Sequence, residues 1–328
     1  MVTRRSIVVA LGASALAPFA VLAQPAAKVW RVGFLVQRHM EFVDADNIYG
    51  PFIQGMRELG YVEGKNLVIE WRSAEGKPER LRELAMELVQ LKVDILLAGG
   101  TPAALAAQQA TTAIPIVMIG GDPIGSGLIK SLARPGGNIT GLSYMTADLA
   151  PKLLEMLRGM APKVTRVAVL VNPANASMTI LLKNVQAAAR KLGVKMQLVE
   201  ASTPQEITNG FAAMARQNAG ALIVPLEALF IQQKSQIVEL AAKRRLPSIG
   251  SYGDYAEAGG LMSYGQNLRE NSRRAATYVD KILKGANPGD IPVEQPMRFE
   301  LFINRKTANA LGLKISNTML VQATRVIE

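Results

Sequence analysis

The sequence of 328 residues contains no cysteine and a single histidine, His39. Without thiols the chain can form no disulfide, no thiolate metal site and no thiol nucleophile, and it has no cysteine to carry a lipid anchor. A zinc site would have to depend on carboxylates, which is unusual. We therefore expect no metal and no cofactor. Stability must come from core burial, which a chain of this length with 49% apolar residues can supply.

Signature motifs of several enzyme classes are also missing. The chain has no G-x-S-x-G nucleophile elbow, no G-x-x-x-x-G-K-[ST] phosphate loop and no H-E-x-x-H zinc motif. A serine–histidine triad would have to use His39, and no neighbouring feature supports one. These absences favour a binding protein over an enzyme, although a pair of carboxylates could still form an acid–base site.

Negative charge is scarce, since the formal net charge is +11, or +9 without Arg4 and Arg5. The basic residues are spread along surface-type helices, and no aromatic-rich binding strand or DNA-reading motif accompanies them. We therefore expect no nucleic-acid partner. A basic surface of this kind suits acidic ligands or an anionic membrane face.

One long uncharged run is present, at the start of the chain. Arg4 and Arg5 precede residues 7–23, which end in small residues before Gln24. This order predicts a secretory signal peptide over residues 1–23, and the paired arginines suggest the twin-arginine route. The run is short for a bilayer span and contains Pro18, which disfavours the alternative of an uncleaved anchor. We expect a periplasmic mature chain.

After this run, short apolar segments alternate with longer amphipathic ones. The predicted strands are residues 30–36, 67–71, 93–98, 116–119, 139–142, 166–171, 195–199, 221–224, 248–249 and 261–263. The predicted helices are residues 50–59, 79–91, 103–111, 124–133, 146–159, 178–191, 205–217 and 229–244. Strands that are apolar on both faces and alternate with helices predict an α/β fold with parallel sheets.

The alternation occurs twice, with a seam near residues 141–146, which predicts two Rossmann-like doubly wound lobes joined by a hinge. A strong helical pattern over residues 268–284 is expected to return to the first lobe. An extended run, 297–303, and a short helix, 305–310, would complete the hinge. The first lobe is therefore predicted over 28–143 plus about 268–303. The second is predicted over 144–267, with 304–328 as a further candidate.

In open parallel sheets, ligands bind beyond the carboxyl ends of the strands. Two such sheets that face each other make a cleft lined by the loops at those ends. The polar and glycine residues that follow the predicted strands are therefore the candidate ligand-binding set: Gln37, Gly100, Thr101, Asp122, Asn175, Ser177, Glu227, Tyr252 and Asp254.

Most of these residues allow two interpretations. Thr101 lies before a proline in a pattern typical of a helix start, whose free N–H groups can hold a carboxylate, but an ordinary capped helix fits equally well. For Asp122, capping of the predicted helix that follows is the favoured interpretation over contact with a ligand amine. Asn175 and Ser177 could bind a ligand or cap the helix that follows.

The loop around residues 250–255 favours a binding role because it combines glycines, aromatic rings and a carboxylate at a strand end. Tyr252 could stack on a flat ligand, and Asp254 could pair with a cationic group. Tyr144 and Tyr264 would flank the hinge, where packing is the favoured role.

Two segments carry a resemblance to a known family: residues 114–143 with the blocks DP-x-G-x-G-L and ARPGGN-x-TG, and residues 275–313. From about Val29 onward, the chain resembles the ABC-transporter substrate-binding proteins of the tryptophan/tyrosine-binding-like group. The resemblance implies a type 1 periplasmic-binding-protein fold with three crossovers between the lobes. It also implies a small-molecule solute, a membrane permease and a separate ATPase as partners, and a monomeric chain. Carried over by position, it implies cleft roles for Thr101, Asp122, Asn175 and Asp254.

The loop over residues 37–47 departs from that group, so its ligands do not transfer directly. We expect a non-enzymatic receptor that closes on a small carboxylate-bearing solute such as an amino acid. The alternatives are a secreted α/β enzyme and a ligand sensor for a membrane signalling partner. A sugar-repressor-like regulator would need an N-terminal helix-turn-helix, where this chain carries the predicted export signal.

Overall fold

The computed structural model describes residues 28–41 and 48–328, so the predicted signal segment and residues 42–47 of the divergent loop lie outside the described residues. The described chain forms two α/β lobes, each built on its own sheet. No helix in this part of the chain is both long enough and apolar enough to cross a bilayer.

The first lobe contains a five-stranded, fully parallel sheet in the order β2-β1-β3-β4-β5. Its strands are β1 (Trp30–Val36), β2 (Leu67–Ser73), β3 (Ile95–Gly99), β4 (Ile116–Ile119) and β5 (Ile139–Leu142). The central strands are buried on both faces, which explains their unbroken apolar sequences. Its helices are α1 (Gly50–Glu58), α2 (Leu81–Gln90) and α3 (Thr101–Ala110).

The second lobe contains a seven-stranded sheet in the order β12-β11-β10-β9-β8-β6-β7. Its strands are β6 (Arg166–Val171), β7 (Lys195–Glu200), β8 (Ala221–Val224), β9 (Ser248–Gly250), β10 (Met262–Gly265), β11 (Glu300–Asn304) and β12 (Arg325–Ile327). The order from β7 to β10 repeats that of the first sheet strand for strand. The last two strands extend the sheet, with β11 antiparallel to β10.

The helices that follow in the chain are α4 (Thr146–Met160), α5 (Met178–Lys191), α6 (Pro204–Arg216), α7 (Ala228–Gln232), α8 (Lys234–Lys243), α9 (Gly253–Glu257), α10 (Leu268–Leu283), α11 (Arg305–Leu311) and α12 (Asn317–Gln322). Thr203 caps α6, because its hydroxyl accepts from the Glu206 N–H, and the Glu206 carboxylate accepts in turn from the N–H of Ser202, the residue before the cap. The two-lobed α/β fold predicted from the sequence is confirmed.

Helix α10 returns to the first lobe, as the sequence predicts. It packs on α1 at Gly55, where a Cβ would lie only 2.9 Å from the Cβ of Ala276, so the glycine permits the close approach. The Tyr61 hydroxyl also donates to Asp280 on α10 over 3.0 Å. The first lobe is therefore assembled from two distant parts of the chain.

Three crossovers join the lobes, at residues 143–145, 266–267 and 295–299. The first and third run side by side, because Ser143 N–H donates to the Glu294 carbonyl and Glu294 N–H donates to the Gly141 carbonyl, over 2.9 and 3.0 Å. This is the three-crossover connection that the family resemblance implies.

The ARPGGN-x-TG block supports this framework. The amide nitrogen of Asn138 donates to the carbonyls of Thr111 and Ile114, and the Thr140 hydroxyl donates to the Ile291 carbonyl over 2.7 Å. A Cβ on Gly141 would lie 2.1 Å from the carbonyl oxygen of Met118. The block therefore positions β5 and the neighbouring crossover and does not contact the ligand site described below.

Two predictions from the sequence are wrong in detail. Residues 124–133 form turns and not a helix, since Gly127 adopts a φ of +77° that is incompatible with one. Residues 300–303 were assigned to the first lobe, but β11 is hydrogen-bonded between β10 and β12 and lies in the second sheet. The short helices α9 and α12 and the edge strand β12 were not predicted.

Candidate ligand-binding site

A cavity lies between the two lobes at the carboxyl ends of the parallel strands. It encloses about 750 Å³ between its lining atoms, including space continuous with solvent. Its wall includes the loops after β1, β3, β6 and β8, as expected for two facing doubly wound sheets. Six of the residues singled out from the sequence line it: Gln37, Gly100, Thr101, Asn175, Ser177 and Glu227.

Thr101 begins α3 and is buried in the cavity wall. Its Oγ1 accepts from the Ser177 hydroxyl over 2.8 Å and from the Asp122 N–H over 3.3 Å. A hydroxyl oxygen has two lone pairs, so its own proton remains available to a further acceptor. Gly121, with a φ of +93°, makes room for it, because a Cβ there would lie 2.2 Å from Thr101 Oγ1.

Asn175 and Ser177 form the matching feature in the second lobe, at the start of α5. The Ser177 N–H donates to Asn175 Oδ1 over 3.1 Å, which leaves the amide nitrogen of Asn175 as a donor on the cavity wall. The N-termini of α3 and α5 therefore come together from opposite lobes. Each contributes free N–H groups and the positive end of a helix dipole, so together they favour an anionic group.

Glu227 lies after β8 and is only 3% exposed. Its Oε1 accepts from the Asn172 amide over 3.0 Å, while Oε2 accepts from the N–H groups of Leu229 and Phe230 over 2.7 and 3.3 Å. Burial raises the pKa of Glu227 above its usual range, and these hydrogen bonds oppose that shift only in part. Glu227 therefore caps α7 and also places a carboxylate on the cavity wall.

Arg38 is a cavity residue that was not included in the predicted set, although it directly follows Gln37 after β1. It is 5% exposed, and its charge lowers the pKa of Tyr49 while burial raises it by more. Bonds from neighbouring loops hold this segment: the Ser73 hydroxyl donates to the Arg38 carbonyl over 2.6 Å, and Gly76 N–H donates to the Gln37 carbonyl over 2.8 Å.

Two tyrosines that the sequence did not assign to the site form its aromatic wall. Tyr144, expected only to pack at the hinge, lies against Gly120, where a Cβ would be 2.1 Å from its ring. The hydroxyl of Tyr49 lies over Gly99, where a Cβ would be 2.6 Å away. The remaining apolar lining among the described residues consists of Ile48, Pro102, Ile119, Met178, Leu226, Ala228, Ile231 and Leu268.

Three predicted residues do not line this cavity. The Asp122 carboxylate accepts from Gly125 N–H over 2.9 Å and stabilises a turn, which is the capping role favoured from the sequence. Tyr252 is 1% exposed and its hydroxyl donates to the Phe230 carbonyl over 3.0 Å within the core. Asp254 lies on α9 and pairs with Arg269 of α10 at 3.3 Å. Tyr252 and Asp254 therefore lie outside this cavity, and the structure gives them packing and ion-pair contacts in place of the expected ligand contacts.

Among the described residues, no group of three or more histidine, aspartate or glutamate side chains could hold a metal ion. The cavity thus offers hydrogen-bond donors from two helix starts, one buried carboxylate, one arginine and an extensive apolar wall. A two-lobed α/β chain with such a cavity between its sheets has the architecture of a solute-binding protein.

Comparison with known proteins agrees with this class. The model of a family described as "ABC transporter substrate binding protein" matches residues 36–327, and the chain belongs to this family. It is 28% identical over 281 residues to a "Tyrosine-binding protein" of Clostridioides difficile (strain R20291), an alignment that covers 85% of this chain and 80% of that protein.

Two solved structures show how the lobes are arranged. An ABC domain from Streptococcus pneumonia in complex with L-Trp matches with a TM-score of 0.84 at 26% identity, over 92% of this chain and 100% of the other. The ligand-free, open structure of a substrate binding protein with adhesive properties from Clostridium difficile matches with a TM-score of only 0.65 at 25% identity, over 91% and 99%. At similar identity and coverage, the chain as a whole is therefore more similar to the L-Trp complex than to the ligand-free, open structure.

Proposed function

We propose that the chain is the extracytoplasmic solute-binding component of an ABC importer and that it closes on one α-amino acid with an apolar or aromatic side chain. The observation that carries the proposal is the meeting of two helix starts, from opposite lobes, on one wall of an otherwise largely apolar cavity. Only a ligand in contact with both lobes favours closure through its own interactions.

The carboxylate of the ligand would bind where α3 and α5 meet. Thr101 has a hydroxyl proton left to donate, and Asn175 has an amide nitrogen that makes no hydrogen bond within the described structure. Hydrogen bonds from these donors to a charged acceptor are each worth about 1.5–3 kcal/mol. Arg38 adds a full positive charge to the same cavity.

The ammonium group would pair with Glu227, the one acidic residue among the described residues that line the cavity. Oε1 of Glu227, which accepts from the Asn172 amide, would also accept from the ammonium group. A buried carboxylate without a cationic partner is energetically unfavourable, and a bound ammonium would relieve this.

The side chain of the ligand would contact the wall formed by Tyr49, Tyr144 and their aliphatic neighbours. Aromatic rings bury a large area against such a wall and can stack on or meet tyrosine edges. One relative is a tyrosine-binding protein and another was solved with L-Trp, and both amino acids suit a wall of this composition. L-tryptophan and L-tyrosine are therefore the first ligands to test.

Family membership supports the remaining parts of the proposal. The loaded receptor would deliver its solute, as a monomer, to a membrane permease driven by a separate ATPase. Export to the periplasm would depend on the basic and apolar segment at residues 1–23. The protein would release its ligand unchanged, because its role is transfer and not turnover.

Isothermal titration calorimetry of the purified protein with L-tryptophan and L-tyrosine tests the proposal. Tryptamine and tyramine lack the carboxylate, and indole-3-propionate lacks the amine, so these analogues separate the two polar contacts. We expect saturable binding of one amino acid per chain, weakened by at least tenfold for every analogue. Failure of all twenty amino acids to raise the melting temperature, or chemical conversion of a bound one, would overturn the proposal.

A further inference from the structure

A second groove lies beside the amino-acid cavity and shares Ile48 and Leu268 with it. We call it the hinge groove, because it also includes Gln266 and Asn267 of the second crossover. It encloses about 610 Å³, including space continuous with solvent. Its other residues come from both lobes: Gly253, Asp254, Glu257, Arg269, Glu300 and Phe302.

Gln266 is the unusual residue of the hinge groove. It is only 3% exposed, yet neither its amide oxygen nor its amide nitrogen has a hydrogen-bond partner. A buried amide without partners is energetically unfavourable, and such groups are normally satisfied. An occupant that both donates and accepts hydrogen bonds would remove this cost.

Three carboxylates line the hinge groove with Gln266, at separate points of its wall. Asp254 pairs with Arg269 at 3.3 Å, Glu257 pairs with Arg325 at 2.6 Å, and Glu300 accepts from the Asn267 amide over 3.4 Å. A carboxylate can accept about four hydrogen bonds, so all three retain capacity. Arg269 is the only basic residue among the described residues that line the hinge groove, so this lining is acidic in a protein whose formal charge is +11.

We propose that the hinge groove binds a small organic cation, namely an aliphatic diamine or amino alcohol with a primary ammonium group. The ammonium would donate to the carboxylates and to the Gln266 oxygen. The second polar group would accept from the Gln266 nitrogen, and the methylenes would lie against Phe302 and Leu268. A metal ion is a poorer fit, because the described residues contain no cluster of three or more metal-ligating acidic or histidine side chains.

This site would regulate the amino-acid site. Because the hinge groove has residues of both lobes in its wall, its occupant would stabilise the closed arrangement. Binding of the cation should then tighten the binding of the amino acid, and by thermodynamic linkage the amino acid should tighten the binding of the cation to the same degree.

Calorimetric titration of the whole protein with 1,4-diaminobutane, 2-aminoethanol and uncharged 1,4-butanediol tests the proposal directly. We expect saturable binding of at least one of the two cations and none of the diol. Gln266→Leu and Glu300→Gln should each weaken that binding by at least fivefold, whereas Glu239→Gln, an exposed change within α8, should leave it unchanged. Cooperative thermal unfolding identifies the variants that remain folded. If one of the two hinge-groove variants does not fold, the other one alone tests the proposal.

The proposal is overturned if neither cation binds, if the diol binds as tightly, or if neither folded hinge-groove variant weakens binding. None of these outcomes depends on the amino-acid site, so the two proposals fail separately. The coupling is then measured as the affinity for L-tryptophan or L-tyrosine with and without saturating cation. We expect a severalfold increase with the cation in the original protein and none in Gln266→Leu.

Discussion

The hydroxyls of Ser177 and Thr101 lie 2.8 Å apart although 76 positions separate them in the sequence. Each begins a helix that follows a parallel strand, one in each lobe. This hydrogen bond crosses the cleft, so it can form only when the lobes are close together. It therefore joins the ligand site to the conformation of the whole molecule.

Replacing Thr101 with valine keeps the shape of the side chain and removes its hydroxyl. We expect ligand affinity to fall by about 1.5–3 kcal/mol, or roughly 10- to 100-fold, because a hydrogen bond to a charged carboxylate is lost. Thr179→Val, an exposed change on α5, is the matched control. Calorimetry should show equal affinities for the control and the original protein. An unaltered affinity in Thr101→Val would contradict the placement of the carboxylate.

The affinity for the amino acid should depend on pH through Glu227. Burial raises the pKa of this carboxyl, and only its ionised form can pair with an ammonium group. Binding should therefore be strongest above the raised pKa and weaken as the pH falls through it. The fold has the opposite preference, since a carboxyl with a raised pKa makes the protein less stable as the pH rises through that value.

Glu227→Gln tests the same residue at constant pH. All of its hydrogen-bond partners are donors, so an amide would place an N–H against another donor and destabilise the fold by about 1–3 kcal/mol. The pH dependence of binding should disappear as well. Glu200→Gln, at an exposed position, should change neither property. Calorimetry over a pH series measures the pH dependence of binding, and denaturant unfolding measures the stability of the fold.

Gly120→Ala should both destabilise the protein and damage the cavity. The new Cβ would lie 2.1 Å from the ring of Tyr144, so the ring would have to move. Gly127→Ala is the control, because Gly127 also has a positive φ but has open space around it. We expect about 1 kcal/mol of backbone strain in the control and a further 1–3 kcal/mol in Gly120→Ala. Equal denaturant midpoints would show that Tyr144 is free to move.

Asp254→Asn should affect closure and not ligand contact. Asp254 and Arg269 join the two lobes, and their side chains are 22% and 49% exposed, so the pair should contribute at most about 1 kcal/mol. We expect the variant to bind the amino acid less than about fivefold more weakly than the original protein, and we expect this difference in affinity to disappear in 1 M salt. Glu239→Gln, which breaks an exposed pair with Lys243 within one helix, is the control. A 100-fold loss would return Asp254 to the ligand site.

The sequence predicted the secondary structure well where an apolar run and the turn residues at its ends indicated the same element. The strands at 116–119 and 166–171 match the structure to the residue because both are apolar on their two faces and bounded by polar or turn residues. The helix predicted over 124–133 failed for a specific reason. Leu128 and Ile129 are buried there, but the glycines between them and Asp122 favour turns. The spacing of the apolar residues therefore indicated which residues are buried, but it did not indicate a helix.

The ligand site was predictable only as far as topology determines it. Thr101, Ser177 and Glu227 were found because the carboxyl ends of parallel strands must face the cleft. Tyr252 and Asp254 also follow a strand, but α9 begins at once and directs them into the core and the hinge groove. Tyr49 follows no strand, so the sequence contains only indirect evidence that it lines the ligand site.

That indirect signal is the glycines at the strand ends. Gly99 and Gly120 have no side chain where the hydroxyl of Tyr49 and the ring of Tyr144 lie. A glycine at the end of a buried strand therefore indicated that something large approaches it. Which residue approaches cannot be read from one sequence, because the partner is distant along the chain.

The return of α10 to the first lobe has a consequence for biosynthesis. The first sheet is complete at Leu142, but the helix that packs on α1 is not translated until residue 283, and the second sheet gains its last strand at residue 327. The first lobe therefore cannot be completed on the ribosome until most of the second lobe has been translated. A polypeptide truncated before residue 268 should leave the α1 surface bare and be retained by chaperones or degraded, and it should not yield a stable fragment.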